Sequence, residues 1–259
     1  MCKPVWSLDQ DIANLPLFAD VAPESLTRIV RGCVRRTVEP RERIYWQGET
    51  PGSFYVIRAG HVRLAVASPG GDEKVIDILS AGQHFGLAEL FGGRIHTSFA
   101  EAVTAVSLIE IDAGTLFHAI GAHPDLALRI LSAVAGQYAA LQQDVIASSF
   151  RSGTDRLVDY LLGLAGRNLR PGYEASIELP VSKRLIAARL GVTAEHLSRL
   201  LRELSDSGLI RVYGRQITLR PALVARLAGD LDKGPMSGSG RGLHGYPAAP
   251  AGAPVRLSA

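Results

Sequence analysis

Four polar side chains lie at intervals of three and four residues in the segment between residues 194 and 204. They are Glu195, Ser198, Arg199 and Arg202. Four leucines repeat with the same three- and four-residue spacing and would lie on the opposite side of a helix. An arginine can donate two hydrogen bonds to guanine O6 and N7, and a glutamate can accept one from the cytosine N4 amine. A serine is short enough for the backbone to approach, and it can contact thymine. We therefore predict that Glu195, Ser198 and Arg199 contact bases from a helix in the major groove.

The segments around this helix predict a winged helix-turn-helix. A preceding helix has Ser182 as its N-cap and ends at Gly191, where glycine permits the positive φ of a tight turn. Thr193 is the predicted N-cap of the second helix. Two short β-type runs follow, 209–213 and 216–219, and would form the wing. The alternative is an ordinary helical hairpin with a solvated polar face.

The distribution of charge favours the DNA-binding interpretation. Residues 151–229 contain 13 Lys and Arg against 7 Asp and Glu, whereas residues 1–150 contain 12 against 16. Phosphate attraction supplies most of the sequence-independent affinity for DNA. Contacts to the DNA backbone position a protein without specifying sequence. The predicted backbone-contacting residues are Ser182, Arg184, Arg189, Thr193, His196, Arg202 and Arg215, and a solvated surface charge is the alternative for each arginine.

Composition and short motifs limit the classes of protein to which the chain could belong. The chain has 259 residues, 47% of them hydrophobic, and no run reaches the ~18 to 20 apolar residues of a membrane span. The N-terminus lacks the apolar core of a signal peptide, so a cytoplasmic protein is expected. No Gly-x-Ser-x-Gly, P-loop or HExxH spacing occurs, so an enzyme is not expected.

Residues 38–112 predict a small antiparallel barrel or sandwich, because short β-type runs alternate with glycines. These runs are 43–46, 54–57, 61–67, 74–79, 98–102 and 106–111, and helical patterns precede them at 9–15 and 23–33. The predicted fold class is therefore α+β. We expect N-terminal helices and a jelly-roll-like β-roll over 1–121, a dimerisation helix over 122–150, the winged helix over 151–228, and a disordered tail over 229–259.

A long helix is predicted over residues 124–147. Its apolar residues step by three and four, which is the spacing of a coiled-coil seam. They are Leu131, Val134, Tyr138, Leu141 and Val145. Packing of this helix on its own barrel is the alternative. The order barrel, helix, winged helix favours a homodimer that presents two recognition helices to double-stranded DNA.

In this order the chain resembles the CRP/FNR family of bacterial transcription regulators over about residues 8–228. The resemblance rests on GE at 48–49, FYVIRAG at 54–60 and GDE at 71–73, on GQHFG at 82–86 through FAEA at 99–102, and on LGVTAE at 190–195 through SRLL at 198–201 and SGLI at 207–210. It implies a cyclic-nucleotide-binding-type β-roll that controls the DNA-binding domain.

The resemblance also implies finer properties. The Glu-x-x-Ser-Arg pattern from Glu195 to Arg199 matches the FNR branch, which goes with an inverted repeat of the type TTGAT-N4-ATCAA. Asp72 and Glu73 match a surface loop that touches RNA polymerase in FNR relatives, and a plain hairpin turn is the alternative.

The predicted effector stretch lacks the groups that hold cyclic AMP in the family. Its pocket-lining residues would be Gly86, Leu87, Glu89, His96 and Thr97. Cyclic-AMP-binding members have a glutamate at the position of Leu87 and an arginine at that of His96, and a buried phosphate without its guanidinium is costly. Cyclic AMP is therefore not the expected effector. Two cysteines, Cys2 and Cys33, are too few for the four-cysteine iron–sulfur cluster of FNR.

Two control mechanisms remain open. The chain resembles the cysteine-poor DNR/NNR group of nitric-oxide regulators, which implies haem with an axial histidine. The candidates are His61, His84, His96, His118 and His123, and no other metal site is indicated. The alternative is an effector-independent regulator controlled by its own abundance. A cyclic-nucleotide-binding regulatory protein that does not bind DNA is the competing function class.

Overall fold

The β-type runs of the N-terminal half form two antiparallel sheets in the computed structural model, which describes residues 7–18, 21, 23–166, 169–170 and 172–225. One sheet has the order β1 (Cys33–Val38), β8 (Val106–Asp112), β3 (Ser53–Ala59), β6 (His84–Phe85). The other has the order β2 (Arg43–Tyr45), β7 (Phe99–Ala102), β4 (His61–Ala67), β5 (Glu73–Ser80). The predicted sandwich and the α+β fold class are confirmed.

Strand β3 supplies two separate hydrophobic cores because successive side chains point to opposite faces of a sheet. Phe54 and Val56 belong to a core that also contains residues of the surrounding helices. Tyr55 and Ile57 belong to a second core, which consists of strand residues from both sheets. A strand that is buried on both faces has apolar side chains at successive positions. This explains why FYVI, residues 54–57, does not alternate between apolar and polar residues.

In the described part of the chain, five α-helices and a short 3-10 helix (Pro16–Phe18) accompany the sheets. The α-helices are α1 (Leu8–Ala13), α2 (Pro23–Arg31), α3 (Leu87–Gly92), α4 (Ala113–Ala122) and α5 (Pro124–Phe150). The three predicted helices correspond to α1, α2 and α5, whereas α3 and α4 were not predicted. Helix α2 ends at Arg31, two residues earlier than predicted, and the following Gly32 lies so close to Thr115 of α4 that a Cβ atom would overlap it. The next residue, Cys33, already belongs to β1, so the end of the predicted helix was wrong.

The C-terminal part contains the predicted helix-turn-helix and wing. Its elements are α6 (Gly153–Ala165), β9 (Ala175–Glu178), α7 (Lys183–Leu190), α8 (Ala194–Asp206), β10 (Ile210–Tyr213) and β11 (Gln216–Leu219). The wing is a three-stranded sheet of order β10-β11-β9, and neither β9 nor α6 was predicted. The predicted tail over 229–259 lies outside the described residues.

Packing divides the chain into two compact units. One combines the chain up to Tyr138 with Leu179–Arg199, and therefore includes α7. The other combines Ala139–Glu178 with the chain from Leu200 onward. Among the described residues, no helix is long and apolar enough to cross a membrane.

Candidate nucleic-acid interface

Helix α7 begins and ends as its sequence predicts. The Ser182 hydroxyl accepts from the Leu185 N–H at 3.4 Å. At the other end Gly191 has φ +66°, and the Val192 N–H donates to the Ala187 carbonyl at 3.0 Å. This is the Schellman arrangement, in which a left-handed residue satisfies the last carbonyls of a helix. The chain therefore turns sharply, and three residues separate the end of α7 from the start of α8.

Helix α8 separates an apolar face from a polar one. Its N-cap is Thr193, whose hydroxyl accepts from the His196 N–H at 3.1 Å. Leu197, Leu200, Leu201 and Leu204 are buried. The predicted base-contacting residues Glu195, Ser198 and Arg199 are exposed, as is Arg202, and they share the opposite face. The structure therefore brings the predicted set together on one surface.

The Ser198 hydroxyl is already used as a donor. It donates to the Ala194 carbonyl at 2.9 Å, one turn back in α8. Its oxygen retains acceptor capacity, since a hydroxyl carries two lone pairs. Ser198 is therefore suited to accept a hydrogen bond or to contact a methyl group rather than to donate to a base.

The wing presents a cation at its tip. Gly214 and Arg215 form the two-residue turn between β10 and β11, and Gly214 has φ +62°. Such tight hairpin turns need a positive φ at the first turn residue, which glycine adopts without strain. Arg215 Nε lies 4.0 Å from a Glu178 carboxylate oxygen, and both side chains are mostly exposed. An exposed ion pair at this distance contributes little to stability, so Glu178 holds the Arg215 guanidinium only weakly.

The other predicted backbone-contacting residues divide into two groups. Arg184 and Arg202 are exposed, and His196 is half-buried. Arg189 differs from them, because its Nε lies 3.0 Å from a carboxylate oxygen of Asp77 on β5. Its side chain is only 14% exposed. In this conformation Arg189 is an ion-pair partner and does not face solvent as a DNA contact would.

Of the two predicted polymerase-contacting residues, one is engaged within the β-roll. The Glu73 carboxylate lies 3.0 Å from the Arg43 guanidinium and 2.8 Å from that of Arg63, and both arginines also pair with Glu101. Arg43 further stacks 3.4 Å from the Phe99 ring centroid. Both carboxylates are exposed, but Glu73 is held by two arginines, so Asp72 matches the predicted exposed turn carboxylate better.

The predicted effector-pocket residues differ in how far they are buried. Gly86 has φ +80° and starts α3, and the Leu87 side chain after it is fully buried in the helix-covered core. His96 is 2% exposed and stacks on Tyr45 with ring centroids 3.7 Å apart. Glu89 is half-buried and Thr97 is exposed. Leu87 and His96 therefore contribute to packing, where cyclic-AMP-binding members have charged ligand contacts.

The candidate haem ligands occupy different environments. Burial lowers the pKa of His84 to about 4, and it lowers that of His96 against the opposing effect of Glu89 and Glu49. His118 and His123 line a cavity of about 320 Å³ beside α2 and α4. His61 is half-buried at the start of β4. Among the described residues, no group of three or more His, Cys, Asp or Glu is arranged to hold a metal ion.

Cys33 is a structural thiol. It is buried, and its Sγ lies 3.1 Å from the Ile29 carbonyl oxygen. Burial, with a smaller effect from Asp112, raises the pKa of the Cys33 thiol to about 12. A thiol that stays protonated is a poor nucleophile and metal ligand. This supports the exclusion of an iron–sulfur cluster at Cys33.

The predicted seam of α5 is largely exposed in the single chain. Leu131, Tyr138, Leu141 and Val145 are between 53% and 64% exposed. Val134 is different, because it packs against the helix-covered core of the β-roll. The alternative of packing on its own barrel therefore applies to Val134, while the other four form an exposed apolar stripe.

The chain is similar to known proteins in both halves. Residues 35–123 match the model of the cyclic nucleotide-binding domain, and residues 155–225 match that of the Crp-like helix-turn-helix domain. The fumarate nitrate reduction regulatory protein of Klebsiella oxytoca is 27% identical over 197 residues, which are 75% of this chain and 78% of that protein. Electron transport regulator A of Shewanella oneidensis is 27% identical over 186 residues, 71% and 74% of the two chains. The structure of FixK2 from Bradyrhizobium japonicum superposes with a TM-score of 0.67 and 26% identity, covering 75% of this chain and 96% of that one.

Proposed function

We propose that the chain is a DNA-binding transcription regulator of the CRP/FNR type and that it binds, as a homodimer, a palindrome of the type TTGAT-N4-ATCAA. Glu195, Ser198 and Arg199 contact the bases of each half-site. Arg184, Arg202 and Arg215 contact the phosphates that flank it. The regulator acts in the cytoplasm and contacts RNA polymerase through Asp72.

One observation carries this proposal. The polar face of α8 consists of a glutamate, a serine and an arginine that are exposed together, while the leucines behind them are buried. An arginine pairs best with guanine and a glutamate with cytosine, so the set is suited to a mixed rather than an A·T-only half-site. A helix whose polar face only contacts water would not require a glutamate, a serine and an arginine together.

Selection of bound sequences from a random duplex library tests the proposal. We expect enrichment of TTGAT half-sites in inverted orientation, with centres about one helical turn apart, because each protomer presents one recognition helix. Recovery of TGTGA-type half-sites, or of no consensus, would contradict the FNR-type specificity. Absence of any salt-dependent DNA binding would contradict the function itself.

The dimer is proposed from the exposed stripe on α5. Leu131, Tyr138, Leu141 and Val145 continue over four helical turns, and burying them against a second copy removes apolar surface from water. Two-stranded coiled coils use this three- and four-residue spacing. A dimer also places two recognition helices on one face of the duplex, as a palindrome requires.

The proposed effector is not cyclic AMP. The buried leucine and the stacked imidazole at positions 87 and 96 support this, since neither supplies a cation for a cyclic phosphate. Haem that senses nitric oxide is the candidate, and His118 or His123 at the cavity would supply the axial ligand. A Soret band after addition of haem, shifting with nitric oxide and lost in His118→Ala or His123→Ala, tests this. A flat spectrum would favour control by abundance alone.

A further inference from the structure

The ion pair between Arg189 and Asp77 joins residues that are 112 positions apart in the sequence. Arg189 lies in the last turn of α7, the first helix of the helix-turn-helix. Asp77 lies on β5, against which α7 packs within the first compact unit. The Arg189 Nε donates to Asp77 Oδ1 at 3.0 Å. An element of the proposed DNA-binding surface is thus attached to the β-roll by a charge-assisted hydrogen bond.

Strand β5 has an irregular pairing next to Asp77. Leu64 of β4 pairs with Asp77 of β5, but the next residue, Ala65, pairs with Val75, so β5 has one extra residue here. Such a β-bulge bends a strand and redirects its side chains. The same Asp77 oxygen accepts from the Ile78 N–H at 2.8 Å, which fixes the carboxylate on the strand. Asp77 is therefore held in place rather than carried by a mobile loop.

The two possible partners of Arg189 exclude each other. Its side chain is 14% exposed while it is paired with Asp77, so it cannot reach a phosphate without leaving the carboxylate. A nearby phosphate competes for the same guanidinium through the same kind of charge-assisted bond. Any conformation in which Arg189 contacts DNA is consequently one in which Asp77 has lost its partner.

We propose that Asp77 is an autoinhibitory residue, which withholds Arg189 from the DNA backbone and so lowers the affinity of the regulator for DNA. This inference rests on the proposed DNA-binding function. The apparent affinity of a protein falls in proportion to the population of its binding-competent state. DNA and Asp77 therefore compete for Arg189, and a signal that separates α7 from β5 activates binding.

Neutralising the carboxylate tests the proposal. Asp77→Asn removes the charge but keeps an oxygen that can accept from the Ile78 N–H. Binding of the full chain to the selected operator, and to a random duplex of equal length, is measured by fluorescence anisotropy at several salt concentrations. We expect binding to both duplexes to tighten about twofold to fivefold per protomer, since partly exposed ion pairs are of this strength. The salt slope should steepen by about 0.9 per protomer, because one more phosphate is neutralised.

A double-mutant cycle separates this mechanism from a general charge effect. Arg189→Ala should weaken binding more in the Asp77→Asn background than in the wild type, because only there is the phosphate contact already formed. Asp72→Asn is the matched control, since it removes the same charge from the same β-hairpin at an exposed position. It should leave binding unchanged. Asp77→Ser provides a second variant if Asp77→Asn unfolds at a lower temperature.

The outcomes distinguish the inference from the function on which it rests. If the wild type binds DNA and Asp77→Asn binds equally or more weakly, the inference is overturned and the proposed function stands. If Asp72→Asn tightens binding as much as Asp77→Asn, the effect is electrostatic repulsion and the inference is again overturned. If neither protein binds any DNA, the proposed function fails and the inference fails with it.

Discussion

Arg199 and Arg215 are both exposed arginines of the predicted interface, but they stand on different elements. Arg199 lies on the polar face of α8 beside Glu195 and Ser198, whereas Arg215 lies at the tip of the wing. A side chain on a recognition helix can form two bonds to guanine, and one at a wing tip meets the phosphate backbone.

Substitution of each arginine should therefore have a different signature. Arg199→Ala should cost about 1–3 kcal/mol of binding free energy on the operator and relax the preference at one base pair. Arg215→Ala should weaken binding to operator and random DNA alike, and reduce the salt slope by about one unit. Titration of both variants against the two duplexes at several salt concentrations measures this. Equal losses from both variants on both duplexes would contradict the assignment of the base-contacting residue.

His84 makes the stability of the β-roll depend on pH. Burial lowers its pKa from 6.5 to about 4, so the folded state resists protonation that the unfolded state accepts. Above pH 6.5 both states are neutral and the full stability is present. Between pH 6.5 and about 4 only the unfolded state binds the proton, and the stability falls as pH falls. The shift corresponds to at most about 3 kcal/mol.

The measurement is urea unfolding of the wild type and of His84→Gln between pH 7 and pH 4. We expect the difference in unfolding free energy between the two proteins to fall over this interval, since glutamine does not titrate. Carboxylates titrate in both proteins and cancel from the difference. Parallel stability curves would show that His84 is not buried as a neutral imidazole.

Among the elements, α5 is the one that we propose packs against a second copy of the chain. Its exposed stripe continues to Leu128, which is 63% exposed and was not predicted as part of the seam. Leu141→Glu should dissociate the dimer, because it places an unpaired charge inside an apolar interface at a cost of several kcal/mol. Operator affinity should fall with it. The protomer should still fold, since Leu141 is exposed in the single chain.

Ala139→Glu is the matched control for this prediction. Ala139 is exposed on the same helix but lies outside the apolar stripe. Sedimentation velocity and operator binding should show a monomer for Leu141→Glu and a dimer for Ala139→Glu. If Leu141→Glu remained a dimer with normal operator affinity, the dimer would not form through this stripe.

At the scale of the whole molecule, the turn before β5 is the surface that we propose contacts RNA polymerase. Asp72 is exposed there, whereas Glu73 is held by Arg43 and Arg63. Asp72→Ala should lower activation from a target promoter and leave operator affinity unchanged. Glu73→Ala should instead lower the thermal stability, because two largely covered guanidinium groups lose a partner. Equal loss of activation and DNA binding in Asp72→Ala would contradict a polymerase contact.

Local sequence signals predicted the elements of the interface well. The caps Ser182, Gly191 and Thr193 act on backbone groups within four residues, so their roles follow from sequence neighbours alone. The buried leucines of α8 and the wing strands follow from periodicity in the same way. Such signals do not identify β9, which has only four residues and gains its hydrogen bonds from β11, about forty residues later in the chain.

The sequence by itself predicted the α+β fold class, the polar face of the recognition helix and the apolar stripe of α5, because the periodicity of each helix and strand involves residues close in the chain. Only the tertiary structure decided which partner each side chain has. Arg189 pairs with Asp77, Glu73 with Arg43, and Val134 with the β-roll core rather than with the seam. From the sequence pattern alone, Arg189, Glu73 and Val134 could equally have been solvated surface residues. Folding brings charges and apolar surfaces that are far apart in the sequence into contact, and the local periodicity of the sequence does not predict these contacts.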